Sequence, residues 1–422
     1  MEDVYVIGAG MTSFGKFPGE TIKSLTKTAV SRACEHAGIG QKDIQVASVG
    51  NAFQGIATGQ ESIRGQVALR AMGIGDIPVF NVENACASSA TAFQVCWMDL
   101  ALGLHDIGLA LGFEKMYLDD REKSLSLFSA AMDQDVMKAI MKMFKDHEAS
   151  TAKKLAEKEG AEKPEGKKSV GSRSAFMDVY AMAARLHMQQ YGTTQRQFAA
   201  ISAKNHTNSQ FNPYAQYRNP MTIEEVLAAP LVAFPLTRPM CSPIGDGASA
   251  AILATRAGAK KIGASKLVKV KTAVLGSGKD RQLNEPDLGE RLSAKAYEMA
   301  GLGPADVNVL EVHDATAFGE LRALEGLGFC PIGQGGPFSE AGNTALGGKI
   351  PTNTSGGLES IGHPVGATGV RQVCEILWQL RGEAGGRQVE GARIGMCENG
   401  GGNIGVEEAA MNIIILERVN SL

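Results

Sequence analysis

The chain has 422 residues, 44% of them hydrophobic and 21% charged, with a formal net charge of −3. That length fits two or three domains rather than one, and the apolar share is ample for a sizeable core, which excludes disorder as the main state. The near-neutral balance gives no electrostatic reason to expect nucleic acid, no apolar run nears the roughly 20 residues that span a bilayer, and the start MEDVYVIGAG is acidic and strand-like, unlike a signal peptide.

VYVIGAG (4–10) reads as a buried strand, 21–37 as a helix ending at Gly38, and IQVASVG (44–50) as a second strand. A strand over 79–85 runs into a turn, an apolar helix covers 88–103, and a buried strand follows over 106–116. This alternation predicts an α/β fold of sheets covered by helices. Residues 119–175 differ, being rich in Lys, Glu, Met and Ser, and the run 157–171 reads as a solvated insertion. Methionines in and just before this segment (Met116, Met132, Met137, Met141, Met143) either fill a helix core or line an apolar pocket. Two helices over 175–192 and 194–210, a Pro/Tyr-rich loop at 212–220 and strands from 247 and 267 follow. VIGAGMTSFG lacks the third glycine of a dinucleotide fingerprint.

An internal repeat decides the architecture. Residues 32–53 lie over 295–316 without a gap and share about eight of some twenty positions, including Ala33, Gly38, Asp43 and Val49 with Ala296, Gly301, Asp306 and Val312. The helix around QVC (94–96) matches the one around QVC (372–374), which pairs Cys96 with Cys374. The chain therefore reads as two copies of one α/β unit, the first carrying the insertion, and corresponding loops should face each other.

Those loops carry reactive side chains. Cys86 sits in ENACASSA just before a helix, where backbone N–H groups and the helix dipole favour a thiolate. His363 lies in the Gly/Pro turn of the second half, suited to activating a thiol. His313 ends an apolar strand and is either a site residue or a structural histidine. Cys397 precedes a glycine run and is either a second reactive thiol or a packed side chain. Cys34, Cys96, Cys241, Cys330 and Cys374 read as packed hydrophobes. Seven cysteines without an export signal point to a reduced, cytoplasmic setting. No Cys/His set has metal-ligand spacing, so no metal is expected.

Taken together, NACASS, PMCSPIGDGASAAIL (239–253), EVHDA, GGLESIGHPVGATG and Cys397 before its glycines resemble the thiolase superfamily, closest to the sterol-carrier-protein type. The resemblance covers nearly the whole chain. It implies a thiolase fold, two βαβαβαββ halves in a five-layer αβαβα core with an inserted loop domain. The halves would be 1–118 plus 240–258 and 259–422, with the lid at 119–239. It implies a CoA-dependent acyltransferase that cleaves a 3-oxoacyl-CoA by thiolysis, or runs the reverse Claisen condensation, through an acyl-enzyme on Cys86. His363 would activate the thiol, His313 would help hold the thioester oxygen, and Cys397 would be the acid/base for the second substrate. Backbone groups of Cys86, Asn399 and Gly400 would form the oxyanion hole. Arg185 and Lys204 on the loop domain are candidates for holding coenzyme A, a substrate rather than a resident cofactor.

Two departures stand out. Sterol-carrier-type thiolases have H-D-C-F where this chain has His313-Asp314-Ala315-Thr316, and other thiolases have C-x-G where it has Cys397-Glu398-Asn399. The resemblance also implies a homodimer or homotetramer. The rival readings are a ketoacyl synthase or retro-aldolase of the same fold, and a subunit active only with an OB-fold, zinc-ribbon partner.

Overall fold

Strand β1 (Val4–Met11) is buried along its whole length and shows how the layers arise. Val4 and Val6 enter a central core, whereas Tyr5 and Ile7, pointing to the other face, enter an outer one. The computed structural model describes residues 2–136, 138, 173–282 and 284–419; the run 157–171 and Met137, Met141 and Met143 lie outside the described residues.

In chain order, β1 is followed by α1 (Ile22–Ala37), β2 (Val46–Gly50), β3 (Val79–Val82), α2 (Ser88–Ala101) and β4 (Ile107–Glu114). Helices α3 (Ala175–Tyr191) and α4 (Gln195–Ser209) precede β5 (Gly247–Thr255) and β6 (Leu267–Ser277). The second half continues with α5 (Leu288–Ala300), β7 (Val309–Glu311), α6 (Ala317–Gly326), α7 (Gly357–Ile361), α8 (Thr368–Arg381), β8 (Ile394–Gly401) and β9 (Ala410–Val419).

Nine of these strands hydrogen-bond in the order β3-β2-β4-β5-β1-β6-β9-β8-β7. Within the sheet the halves join where β1 meets β6, through Tyr5–Lys269 and Val6–Val268. Residues alternate along the strands: Ile414 and Leu416 face the central core, Ile413 and Ile415 the outer core of the second half. The central core holds α2 and α8, packed between the two sheet halves. Outer cores hold α1 on one side and α5 with α6 on the other. Helices thus alternate with sheet halves in five layers, as expected.

The repeat holds residue by residue in its first part. Both α1 and α5 end on a left-handed glycine, Gly38 (φ 70°) and Gly301 (φ 66°), where a Cβ would be strained. Each begins with a capping box, Thr21 with Ser24 and Asp287 with Glu290, but these starts are out of register because α1 has 16 residues and α5 has 13. The correspondence of Cys96 with Cys374 does not hold to the residue, because Cys96 sits two positions deeper into its helix. Gly8 and Gly10 belong to packing: a Cβ on either would lie 2.4–2.5 Å from the backbone of α1.

Candidate active site

Cys86 lies in a single 3-10 turn (Ala85–Ala87) that feeds directly into α2. The turn is held tightly. Ala85 adopts φ 48°, its N–H donates to Glu83 Oε1 at 2.6 Å, and Ser88 Oγ donates to the Ala85 carbonyl at 2.6 Å. Small residues are required there, since a Cβ on Gly401 would meet Asn84 O at 2.3 Å. The thiol is 8% exposed. Burial pushes it up to about 12, against the pull of the Gly402 and Cys86 N–H groups. The resting group is therefore a thiol, and the thiolate expected from the helix terminus alone is outweighed by desolvation.

His363 faces it from the second half, with Nε2 3.3 Å from Cys86 Sγ. Its Nδ1 lies 2.8 Å from Thr368 Oγ1, and that hydroxyl is placed to donate to the Pro364 carbonyl at 3.4 Å. This chain of donors assigns the ring proton to Nδ1 and leaves the Nε2 lone pair on the thiol. Burial, then His313 beside it, holds His363 well below the usual histidine range, so it is a neutral base.

His313 follows β7 and packs edge-on against His363, ring centroids 5.1 Å apart. Asn399 Nδ2 donates to His313 Nδ1 at 2.9 Å, which leaves Nε2–H as the ring's donor. Its backbone N–H donates to Glu398 Oε2 at 2.9 Å. Burial lowers His313 to about 3 and raises Glu398 to about 7. Two neutral histidines thus meet one neutral thiol. Their donor atoms lie within 4.8 Å of one another, a geometry that could also hold a metal ion.

The three groups line one cavity of about 740 Å³, with walls from the first half, the inserted segment and the second half. Phe53, Phe128, Phe176 and Tyr180 give it an apolar side, while Lys16 and Arg238 stand exposed at it. Met116 and Met132 are buried; Met116 packs in the cluster around Cys86, and neither lines the cavity.

Several expectations are corrected by this geometry. Cys397 does not line the cavity: strand alternation turns it into the central core with Cys374, and its neighbour Glu398 points toward His313. Asn399 and Gly400 pair in register with Asn412 and Met411 in the β8–β9 ladder, which ends at Gly401, and Gly400 lines the cavity. The N–H that joins that of Cys86 at the sulfur belongs to Gly402, the first residue beyond it. Lys204 is tied to Glu320 Oε1 at 2.6 Å and Thr352 O at 2.7 Å, away from the cavity. Arg185 donates to Phe234 O at 2.7 Å and also lies outside the lining. Cys241 packs against the apolar cluster of Phe198, Ile201 and Met240, as expected, and lines the cavity as well. Thr368, Asn399 as a side chain, and Glu114 were not singled out by sequence. Glu114 accepts from Asn51 Nδ2 and from the N–H groups of Ala52, Phe53 and Gly366, tying the two halves beside Cys86. Only the glycine at 366, inside the G-x-x-G turn, hinted at that close approach.

Residues 4–257 match the family described as thiolase, N-terminal domain, and residues 285–417 match thiolase C-terminal domain-like. The chain is 38% identical to an acetyl-CoA acetyltransferase of Methanothermobacter thermautotrophicus over 98% of this chain and 99% of the relative. It is 35% identical to human sterol carrier protein 2, over 94% of this chain and 69% of the relative. A solved Ltp2–ChsH2(DUF35) aldolase superposes with a TM-score of 0.75 at 22% identity, covering 99% of this chain and 98% of that one.

Proposed function

The chain belongs to the thiolase family, and we propose that Cys86, His363 and His313 carry its reaction. The protein is a CoA-dependent acyltransferase, an acyl-CoA C-acyltransferase acting by thiolysis of a 3-oxoacyl-CoA or the reverse condensation. The observation that carries the site assignment is the 3.3 Å contact between Cys86 Sγ and the unprotonated Nε2 of His363.

In the cleavage direction His363 takes the thiol proton as Cys86 Sγ attacks the 3-oxo carbon. The oxyanion that forms is met by the N–H groups of Cys86 and Gly402. Donors of this kind are each worth on the order of 10²–10³ in rate. Collapse breaks the C2–C3 bond, and its electron pair leaves on the enolate of the departing acyl-CoA. The imidazolium of His363 returns its proton to C2, and His313 Nε2–H steadies the enolate oxygen. In the second half-reaction the CoA thiol gives its proton to His363, attacks the acyl-enzyme and releases Cys86, which is reprotonated. One histidine balances every proton, so Cys397 is not needed as a second acid/base.

Coenzyme A is a substrate, and the exposed Lys16 and Arg238 at the cavity are suited to its phosphates. The reading of 119–239 as a lid is supported by its described residues, among which Leu125, Phe128, Phe176 and Tyr180 line the cavity. Strand β3 is the open edge of the sheet, and Phe80 on it is 43% exposed, which supports a homodimer. An OB-fold, zinc-ribbon partner protein remains part of this reading, and the aldolase of the same fold carries a DUF35 component. Among the described residues no helix is long and apolar enough to cross a membrane, and the reading remains a cytoplasmic enzyme.

The test is CoA-dependent cleavage of a panel of 3-oxoacyl-CoA esters, with and without candidate partner, together with peptide mass after incubation with an acyl-CoA alone. One acyl group per chain at Cys86 is expected. Acylation at another cysteine would overturn the assignment.

A further inference from the structure

The cavity wall formed by α7 holds a group that this reaction does not use. Glu359 stands four residues before His363 in GGLESIGHP, is 1% exposed, and lines the same cavity as Cys86. Neither of its carboxyl oxygens has a hydrogen-bond partner. The Ser202 hydroxyl beside it donates instead to Pro239 O at 2.9 Å.

Its charge state follows from the neighbours. Glu320 is satisfied by Lys204 at 2.6 Å and by the amides of Asn205 and Asn353 at 3.0 and 2.8 Å. Asp314 accepts from Leu358 N–H at 2.7 Å and Asn205 Nδ2 at 3.2 Å. No group lies in full hydrogen-bond geometry on Glu359; burial and the nearby Asp314 push it well above the usual carboxylate range, against the weaker pull of the Ser202 hydroxyl. It is a neutral acid, with one O–H to donate and one carbonyl to accept. The same cavity is lined by apolar Met221, Val232 and Ile244. A buried polar group left without a partner is unfavourable, and a ligand that supplies one is selected strongly over an analogue that does not.

We propose that Glu359 is a specificity-determining residue that binds a second oxygen function, a hydroxyl or carbonyl, carried on the acyl chain beyond the reacting 3-oxo group. The inference rests on the acyl-CoA reading of the cavity. It separates this enzyme from one that takes plain alkyl chains, whose fit would be set by apolar contact alone.

Binding tests it apart from turnover. In a Cys86→Ala background, the affinity of hexanoyl-CoA is compared by calorimetry with that of its hydroxy and oxo forms at carbons 4 to 6. At least one oxygenated ester should bind about 10-fold or more tighter than hexanoyl-CoA. Adding Glu359→Leu should erase that preference by weakening the oxygenated ester while leaving hexanoyl-CoA equal or better. Glu359→Gln, nearly isosteric, should retain part of it and decides the matter if the Leu variant melts early. Equal affinity for all esters, or an equal loss with every ester, would overturn the proposal and leave Glu359 serving a bound water or the wall itself. Preference without any cleavage of 3-oxoacyl-CoA by the unmodified enzyme would instead defeat the thiolytic reading.

Discussion

The turn at 84–88 and the turn at 362–368 are the same structural device in two copies, a 3-10 turn leading into a central helix, yet they do opposite jobs. In the first the reactive residue is inside the 3-10 turn, and every neighbour is small. In the second the turn itself is Val365-Gly366-Ala367, and the reactive His363 stands two residues ahead of it, reaching across to the first. The helices that follow touch: a Cβ on Gly369 would lie 2.4 Å from Ala90 N and 2.6 Å from Asn399 Oδ1. Duplication set two helix starts side by side. On the proposed assignment one start carries the nucleophile and the other its base, so neither half is an active site alone.

The comparison is broken most severely at the nucleophile. Cys86→Ala should abolish acyl-enzyme formation and lower kcat on the order of 10⁴-fold or more, read by mass spectrometry and a CoA-release assay. Gly369→Ala attacks the contact between the two copies. With backbone on the receiving side, overpacking of about 1–3 kcal/mol or more is expected, measured as a lowered Tm and urea midpoint, with weakened activity because Asn399 is displaced from His313. Thr368→Val leaves both reactive groups but frees the ring proton of His363. Acylation should slow about 10–100-fold, part of the ~10²–10⁴ that a general base supplies, while Km for the CoA ester changes little.

The two smallest effects sharpen the contrast between cysteines and between carboxyls. Cys397→Ala should form the acyl-enzyme and cleave 3-oxoacyl-CoA at near the unmodified rate, because Cys397 is packed in the central core. Loss of carbon–carbon cleavage with acylation intact would restore it as the acid/base. Glu398, raised to about 7 by burial against an ordinary value of 4.5, holds a proton in the folded state that the unfolded chain has released. Folded stability should therefore fall as pH rises from about 4.5 to 7 and level off above. Glu398→Gln, which cannot ionise, should show a flatter Tm profile across that window; parallel profiles would contradict the assignment.

Much of this was written in the chain. Hydrophobic runs bounded by glycine placed the strands to within a few residues, since a fully buried strand needs no alternation to be recognised. The repeat at 32–53 and 295–316 carried its capping glycines with it, so it predicted paired loops. Residue type and local context singled out Cys86, His363 and His313, because small residues before a helix and a Gly/Pro turn are local signals. What the sequence could not decide was where strand side chains point once pairing is fixed. One step along β8 separates Cys397, in the core, from Glu398, at His313. Nor could it see that the ladder ends at Gly401 and so leaves Gly402 to face the sulfur. Lys204 looked like a charge for coenzyme A until the fold brought Glu320, far along the chain, within 2.6 Å. Helix capping and strand burial are local physics and can be read in order. Register, and the desolvation that keeps Cys86 a thiol and both histidines neutral, arise only when distant segments pack together.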